Sequence, residues 1–286
     1  MRKLTSPQVI KQILEESGFR FSKSLGQNFL IDDRVLDEMI ASAQIDSNSN
    51  VLEIGPGFGT LTQRLCMSAG KVVSVEIDDT VIPILSQNTA EFDNLTIINA
   101  DVMKIDLNKL IDEHFDGRDV KVVANLPYYI TTPIIMGLLE KELPVSSLVV
   151  MIQKEVAERI VAKPSTKDYG ALSVAVNFYC ESEIIVNVPP SSFIPQPKVS
   201  SSVIMLNMRD EPAVAVKNKK HYFAVVKAAF GQRRKTLPNA LANSGAFDKD
   251  KSEIVEILNQ CGIDERRRGE TLSLQEFADI ADRIFN

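Results

Sequence analysis

From residue 50 onward, short apolar runs at 51–54, 72–75, 95–98, 120–124 and 148–152 are separated by stretches of helical periodicity at about 60–69, 80–90, 106–114, 132–141 and 153–162. The runs are of strand length, rich in β-branched residues and apolar without alternation, the pattern of strands covered on both faces. Repetition of strand and helix in this order specifies a parallel sheet wound by helices, because parallel neighbours need a crossover between them. Two further runs, 172–179 and 199–207, flank a Pro-rich loop with no helix between them, and read as an antiparallel pair closing the sheet. After Asn207 the strands stop, and 218–231, 236–243, 250–261 and 273–284 read as helices, with Asp210-Glu211-Pro212 as a linker. The N-terminal part opens with a helix capped at Ser6-Pro7, with Val9, Ile10, Ile13 and Leu14 on one face and Gly18 at its end. A second helix spans 33–43, and Phe21 to Leu30 between them reads as an ordered loop. The expected division is an α/β domain over 1–207, with helices and loop in 1–45, and a small helical domain over 208–286.

At 286 residues the chain has the length for one domain of ordinary size and a small second one. Cys66, Cys180 and Cys261 are far apart, with no C-x-x-C pair and no nearby His, so buried reduced thiols are expected and no metal site. There is no signal-like apolar run and no stretch of 18 apolar residues, which predicts a cytoplasmic protein with no membrane contact. With 32 basic and 38 acidic residues the net charge is −6, which at face value argues against a nucleic-acid partner. The charge is unevenly shared, however. Residues 1–207 hold 18 basic and 26 acidic side chains, net −8, and 208–286 hold 14 and 12, net +2. The basic residues of the second part cluster at Lys217, Lys219 and Lys220, at Arg233, Arg234 and Lys235, and at Arg266, Arg267 and Arg268. Such runs are usually solvated faces, and a nucleic-acid role needs a site to go with them.

Motifs at the strand ends supply one. Gly55, Gly57 and Gly59 stand where the first strand turns into a helix, a place that calls for positive φ and for close approach of a ligand to the backbone. The spacing is G-x-G-x-G, not the G-x-G-x-x-G of dinucleotide folds, and an acid lies two residues before it. A structural turn is the competing reading. Glu76, about 20 residues on, ends the second strand and can accept both hydroxyls of a ribose, with a helix-capping or solvated acid as its alternative. Asp101 ends the third strand and can accept from an adenine amino group. The fourth strand ends in Asn125-Leu126-Pro127-Tyr128. An exocyclic aromatic amine is a poor nucleophile because its lone pair is delocalised. The carbonyl of Asn125 and a backbone carbonyl fixed by Pro127 can accept both of its N–H groups while Tyr128 stacks on the base. No histidine is required, and His114 and His221 lie beside none of these motifs.

Asn28 within Gln27-Asn28-Phe29-Leu30, the glycine loop, Glu76, Asp101 and Asn125 to Tyr128 resemble, in order and spacing, the S-adenosylmethionine-dependent rRNA adenine N6-dimethyltransferases, most closely those of the small ribosomal subunit. The resemblance covers nearly the whole chain, including Met151 to Arg159, Tyr169 to Val174, Phe193-Ile194-Pro195-Gln196-Pro197-Lys198-Val199 and Phe230 to Leu237. It implies a doubly wound, seven-stranded, Rossmann-like methyltransferase domain, strand 7 antiparallel, and a C-terminal helical domain that docks on the assembling 30S particle. By the same resemblance Asn28 and Leu30 close over the cofactor, Gly55, Gly57 and Gly59 meet its amino-acid part, Glu76 holds the ribose, Asp101 reads the adenine, Ile77 and Val102 are further cofactor-binding residues, and Asn125 bridges cofactor and substrate.

The implied reaction dimethylates N6 of two adjacent adenosines in the hairpin loop near the 3′ end of 16S rRNA, by a protein acting as a monomer without metal. Phe193 is the expected second face of a base sandwich with Tyr128, against a core aromatic as the alternative. Tyr129 either shapes the pocket rim or packs. Arg233, Arg234, Lys235, Lys154 and Arg159 are the expected RNA contacts. Rivals are a large-subunit rRNA or DNA adenine methyltransferase, a dinucleotide oxidoreductase, disfavoured by the glycine spacing, and a non-catalytic ribosome assembly factor, disfavoured by the intact Asn125 to Tyr128.

Overall fold

The structure, a computed structural model, describes residues 2–21 and 26–285. Ser22 to Leu25 of the loop expected to be ordered lie outside the described residues. The chain forms two compact units, one of Met1–Ala157 with Glu181–Met208 and one of Glu158–Cys180 with Arg209–Asn286.

The first unit begins with α1 (Pro7–Ser17), which starts on its proline and ends at Gly18 in the left-handed conformation, the Gly18 N–H returning to the Leu14 carbonyl. β1 (Phe29–Leu30) and α2 (Asp33–Ser42) follow; the Asp32 side chain caps α2 by accepting from the Arg34 N–H. Then come β2 (Asn50–Ile54), α3 (Thr60–Ser68), β3 (Lys71–Glu76), α4 (Ile82–Asn88), β4 (Leu95–Asn99), α5 (Leu107–Phe115), β5 (Val120–Asn125), α6 (Thr131–Leu139) and β6 (Val145–Gln153), with α7 (Lys154–Val161) starting at once behind it. After α8 (Ala171–Tyr179) the chain returns to strands as β7 (Cys180–Val188), β8 (Phe193–Ile194) and β9 (Ser201–Met208). Among the described residues the main sheet has seven strands in the order β4-β3-β2-β5-β6-β9-β7. The pairs among β2 to β6 are parallel, and β9 runs antiparallel to β6 from Ser147↔Asn207 to Gln153↔Ser201. β2 is the switch point, since the chain winds outward from it in one direction through β3 and β4 and in the other through β5 and β6. Val51, Leu61, Leu65, Val72, Val123 and Val149 share one buried cluster with α2 residues Val35, Leu36 and Met39. The two-residue strands pair separately, Phe29 with Ile194 and Leu30 with Phe193.

Residues 172–179, expected as a strand, form α8 instead, and the sheet is completed by β7, nine residues that include the exposed Glu181. The apolar run beside a Pro-rich loop suggests a strand. Its polar groups decide otherwise. The Gly170 N–H is capped by Ser173 Oγ at 3.0 Å, and Asn177 Nδ2 donates to the carbonyls of Ser173 and Ile160, each at 2.8 Å. Helical spacing puts Val174 and Phe178 together in a core cluster with Tyr222, Leu258 and Phe277. Residues 158–180, expected in the first domain, therefore belong to the second unit.

That unit continues with α9 (Lys219–Gly231), α10 (Leu237–Ala242), α11 (Lys251–Gln260) and α12 (Leu274–Ile284), close to the helices expected. Capping boxes at Asp250 with Glu253 and Ser273 with Glu276 set the starts of α11 and α12. Counted by unit, the second holds 17 basic and 14 acidic residues, net +3, and the first 15 and 24, net −9. Among the described residues no helix is long and apolar enough to cross a membrane, and no group of three His, Cys, Asp or Glu side chains could hold a metal. If α8 is core to the second unit, Phe178→Ala costs about 3–5 kcal/mol by cavity formation, and hydrogen exchange reports the loss of protection in α9 and α12 as well as in α8.

Candidate active site

Parallel pairing fixes the site. The register sets Ile54 beside Val75 and Ala124, and Glu76 beside Asn99, so the carboxyl ends of β4, β3, β2 and β5 lie in a row. The first residues beyond them are, in sheet order, Ala100, Ile77, Gly55 and Leu126, with Asp101 following Ala100. Neighbouring strands are about 4.8 Å apart, so the row spans roughly 14 Å. A cleft of about 1060 Å³, open to solvent, runs along it and is lined by Asn28, Leu30, Gly55, Gly57, Glu76, Ile77, Asp101, Val102, Asn125, Leu126, Pro127 and Tyr128, together with Glu53 and Tyr129. All of them belong to the first unit.

Two buried carboxylates shape the wall. Glu76, 6% exposed, accepts the Gly57 N–H on one oxygen at 3.2 Å and the Asp78 N–H on the other at 2.9 Å. Burial pushes its pKa up, against those two donors. Glu53 stands in the middle of β2 at 1% exposure. One oxygen accepts from Thr62 Oγ1 at 2.7 Å and Ser74 Oγ at 2.6 Å; the other, Oε1, is buried with no hydrogen-bond partner among the described residues. Desolvation, reinforced by the charge of Glu76, raises its pKa to about 7. The acid before the glycines was visible in the sequence without a role. A carboxylate inside an apolar strand is itself the signal, since such groups are almost never buried without a reason.

The glycines differ from one another. Gly55 has φ +69, and a Cβ there would meet only the Asn125 carbonyl oxygen, at 3.9 Å. At Gly57, φ +56, a Cβ would meet the Phe29 ring at 2.6 Å, so this position serves the packing of β1 as well as the cleft. That ring stacks on Phe58 with centroids 4.0 Å apart. Gly59 is a correction: it does not line the cleft, and a Cβ there would press on Leu85 and Thr89 at 3.0 and 3.2 Å. It is a packing glycine at the start of α3.

The segment before β1 closes one side. Asn28 Nδ2 donates to the Gly26 carbonyl at 2.9 Å, Gln27 Nε2 to Asp78 Oδ2 at 2.6 Å, and Asn125 Nδ2 to the Asn28 carbonyl at 3.0 Å. The turn after β5 is pinned by Ile130 N–H and Thr131 Oγ1, both donating to the Pro127 carbonyl. Tyr128 is half-buried, with its hydroxyl 2.6 Å from Ser201 Oγ and its pKa pushed up by burial. Tyr129 is 56% exposed and lines the cleft, so of its two readings the rim is the one observed. Asp101 accepts the Met103 N–H at 3.0 Å and pairs with Lys104 at 3.3 Å. Ile77, 49% exposed, leaves apolar surface at the cleft.

Phe193, expected as the second face of the base sandwich, is buried elsewhere. It is 1% exposed, absent from the cleft lining and packed with Leu30, Val35, Met151 and Val203. Its backbone explains this: Phe193 pairs with Leu30, next to Ile31 N–H donating to the Ser192 carbonyl at 2.9 Å and Ser192 Oγ to Asp32 at 2.8 Å. The residue anchors the N-terminal segment and offers no face for a base. Of the basic residues, Arg233 is partly engaged within the second unit, donating to the Lys167 and Tyr169 carbonyls at 2.9 and 3.3 Å. Arg267 is ion-paired with Glu276, and Arg266 with Asp264 at 2.7 Å. Arg234, Lys235, Lys154 and Arg159 are exposed.

The strand order, the antiparallel β9 and a cleft across the strand ends, with an acid at the end of β3 and another just past β4, define a Rossmann-like methyltransferase. A family model described as ribosomal RNA adenine dimethylase matches residues 18–281. Relatives from Alkaliphilus metalliredigens and Clostridioides difficile, both named ribosomal RNA small subunit methyltransferase A, are 54% and 50% identical; each match covers 99% of this chain, and 99% and 98% of the respective relative. A crystal structure of a dimethyladenosine transferase from Plasmodium falciparum is similar at a TM-score of 0.76 and 26% identity, covering 88% of this chain and 95% of that one. The 23S rRNA methyltransferase ErmE shares the fold at a TM-score of 0.68 and 23% identity, over 91% of this chain and 100% of that one. The chain belongs to the ribosomal RNA adenine dimethylase family. It is an rRNA adenine methyltransferase that uses S-adenosylmethionine.

The buried Glu53 makes stability depend on pH. The folded chain holds this proton more tightly than the unfolded chain does, because the pKa rises from 4.5 to about 7 on folding. Stability from this group is therefore lost as pH rises across that window and levels off above it. Glu53→Gln removes the loss. Its stability advantage over the parent protein, measured by denaturant unfolding without ligand, is small near pH 5 and grows to the order of 3 kcal/mol by pH 8.

Proposed function

We propose that this cleft dimethylates N6 of two adjacent adenosines in the hairpin loop near the 3′ end of 16S rRNA, within an assembling 30S particle. The names of the relatives support the small subunit as target. The observation that carries the chemistry is the fixed amide of Asn125. Its Nδ2 is committed to the Asn28 carbonyl, so Oδ1 is the acceptor left for a substrate amine. The Leu126 carbonyl, to which nothing among the described residues donates, stands next to it as the second acceptor.

The residues present fit the cofactor. The unpartnered Glu53 Oε1 suits an ammonium group, Gly55 leaves its backbone open, Glu76 suits a pair of ribose hydroxyls, and Asp101 with Ile77 and Val102 suits an adenine. They follow one another along a row as long as an extended adenosyl amino acid. When bound, the cofactor supplies a methyl group made electrophilic by its attachment to a sulfonium. The protein's part is at the amine. Acceptance of both N–H groups by Asn125 and Leu126 draws the nitrogen out of conjugation, and Tyr128, its ring held through Ser201, stacks on the base. The Tyr128 phenol stays protonated at neutral pH and is not the base. Positive charge develops on the nitrogen during transfer, and the alkylated amine loses its proton to water. The protein acts in the cytoplasm as a monomer, and RNA phosphates are met by Arg234 and Lys235 in the second unit and by Lys154 and Arg159 on α7, with Arg233 bracing the turn that carries the first two.

Purified protein is given labelled S-adenosylmethionine with immature 30S particles, 50S particles or duplex DNA, and the products are digested to nucleosides. N6,N6-dimethyladenosine from the 30S sample alone is the expected result; label only on 50S or DNA overturns the reading. Asn125→Ala abolishes transfer and retains most cofactor affinity, and retained turnover removes the role assigned to it. Arg234→Glu with Lys235→Glu weakens 30S binding and flattens its dependence on salt by about one unit of log–log slope per lost phosphate contact, as filter binding across a salt series measures.

A further inference from the structure

We infer that Gln27 and Asp78 are positioning residues for methyl transfer: their hydrogen bond holds the Asn28 carbonyl where it turns the Asn125 amide with Oδ1 toward the substrate. The inference deepens the function proposed above and rests on it for the identity of the substrate amine.

A primary amide has two faces. Rotated by half a turn, Asn125 would present its NH₂ group to the substrate nitrogen, which needs an acceptor, and would hinder the reaction it is placed to assist. Packing discriminates poorly between the two rotamers, because oxygen and NH₂ have nearly the same size. A backbone carbonyl discriminates fully, since it has lone pairs and no proton. The Asn28 carbonyl, 3.0 Å from Asn125 Nδ2, therefore sets the orientation.

That carbonyl lies 97 residues away in sequence and outside the main sheet, so its position needs separate support. On the C-terminal side the support is β1, through its pairing with β8 and the Phe29 ring against Gly57. On the N-terminal side it is the 2.6 Å bond from Gln27 Nε2 to Asp78 Oδ2. Asp78 is a firm post. Its Oδ1 accepts from the Thr80 N–H at 3.1 Å and Thr80 Oγ1 at 2.6 Å, and its own N–H is held by Glu76 Oε1 at 2.9 Å. The hydrogen bonds thus form a continuous path from the acid at the end of β3, through Asp78 and Gln27, to the neighbour of the carbonyl that orients Asn125. Loss of the Gln27 bond frees one end of that path and lets the amide populate both rotamers.

The test uses Gln27→Ala, Asp78→Ala and the exchanged pair Gln27→Glu with Asp78→Asn, in which the donor and acceptor trade places. Single-turnover transfer to 30S particles at saturating cofactor falls about ten- to hundredfold in each single variant, as expected for one lost hydrogen bond to a charged group. The exchanged pair recovers most of the rate. The inference is overturned if the single variants keep the parental rate, if their loss lies wholly in cofactor affinity, or if the exchanged pair is no faster than the slower single variant. The side-chain amide resonance of Asn125, assigned by its disappearance in Asn125→Asp, gives a readout without turnover. Its protons exchange slowly in the parent protein and fast in Gln27→Ala. Should the parent methylate no RNA, the functional reading fails by itself, and unchanged Asn125 exchange in Gln27→Ala still overturns the positioning role.

Discussion

Everything the cleft does depends on the parallel hydrogen-bond register of four neighbouring strands. Parallel pairing forces each crossover to the same end, so β2, β3, β4 and β5 all release their chains at one edge, and whatever follows the last paired residue is delivered to a common line. Four short sequence stretches, otherwise remote, become a row of chemically distinct positions: carboxylate, carboxylate, bare backbone, amide. A shift of register by one residue would turn Glu76 or Asn125 to the other face of the sheet. The apolar runs of the strands thus determine the site indirectly, since their burial leaves a single register available.

The row carries a cost that the sheet must absorb. Glu53 and Glu76 are buried on adjacent strands, both with pKa values raised by desolvation, and the charge of Glu76 adds to the shift at Glu53. Each has hydrogen-bond donors, yet one oxygen of Glu53 has none among the described residues. A group so placed costs stability in the ligand-free protein and gains it when a cation arrives, which makes the wall complementary to a ligand with a positive end. The same reasoning explains why hydroxyl and backbone N–H donors, which bring no net charge, serve these carboxylates. A lysine or arginine there would satisfy the acid permanently and leave nothing for the ligand.

Much of this was legible in the sequence, and the parts that were not have physical reasons. The five strands and their acids could be placed from apolar runs and the residues after them, because periodicity and strand length are local properties. Residues 172–179 could not, since an apolar run beside a Pro-rich loop suggested a strand while capping by Ser173, the side-chain bonds of Asn177 and burial of Phe178 made a helix. Phe193 looked available to a base because it sits in a Pro-rich loop, but its pairing with Leu30 across 163 positions, invisible in either segment alone, puts it in the core. Gln27 was seen only as part of a motif. Its partner, Asp78, lies 51 residues away, and no local pattern announces such a bond. What the sequence conceals is long-range pairing, which together with the burial of Phe29 and Leu30 holds the N-terminal segment.

The uneven charge follows from the same division of tasks. A cleft lined with carboxylates for a cationic ligand belongs to a unit of net −9, which repels phosphate at long range, whereas RNA demands the opposite sign. Placing both on one surface would let each field cancel the other. The chain instead keeps the excess of base in a second unit, net +3, where Arg266 and Arg267 already have acidic partners and Arg233 serves backbone carbonyls. Pairing of these arginines lowers the charge that unit offers to phosphate at long range. On the function proposed above, binding depends on several contacts being met at once, which a folded RNA surface provides and a random strand does not.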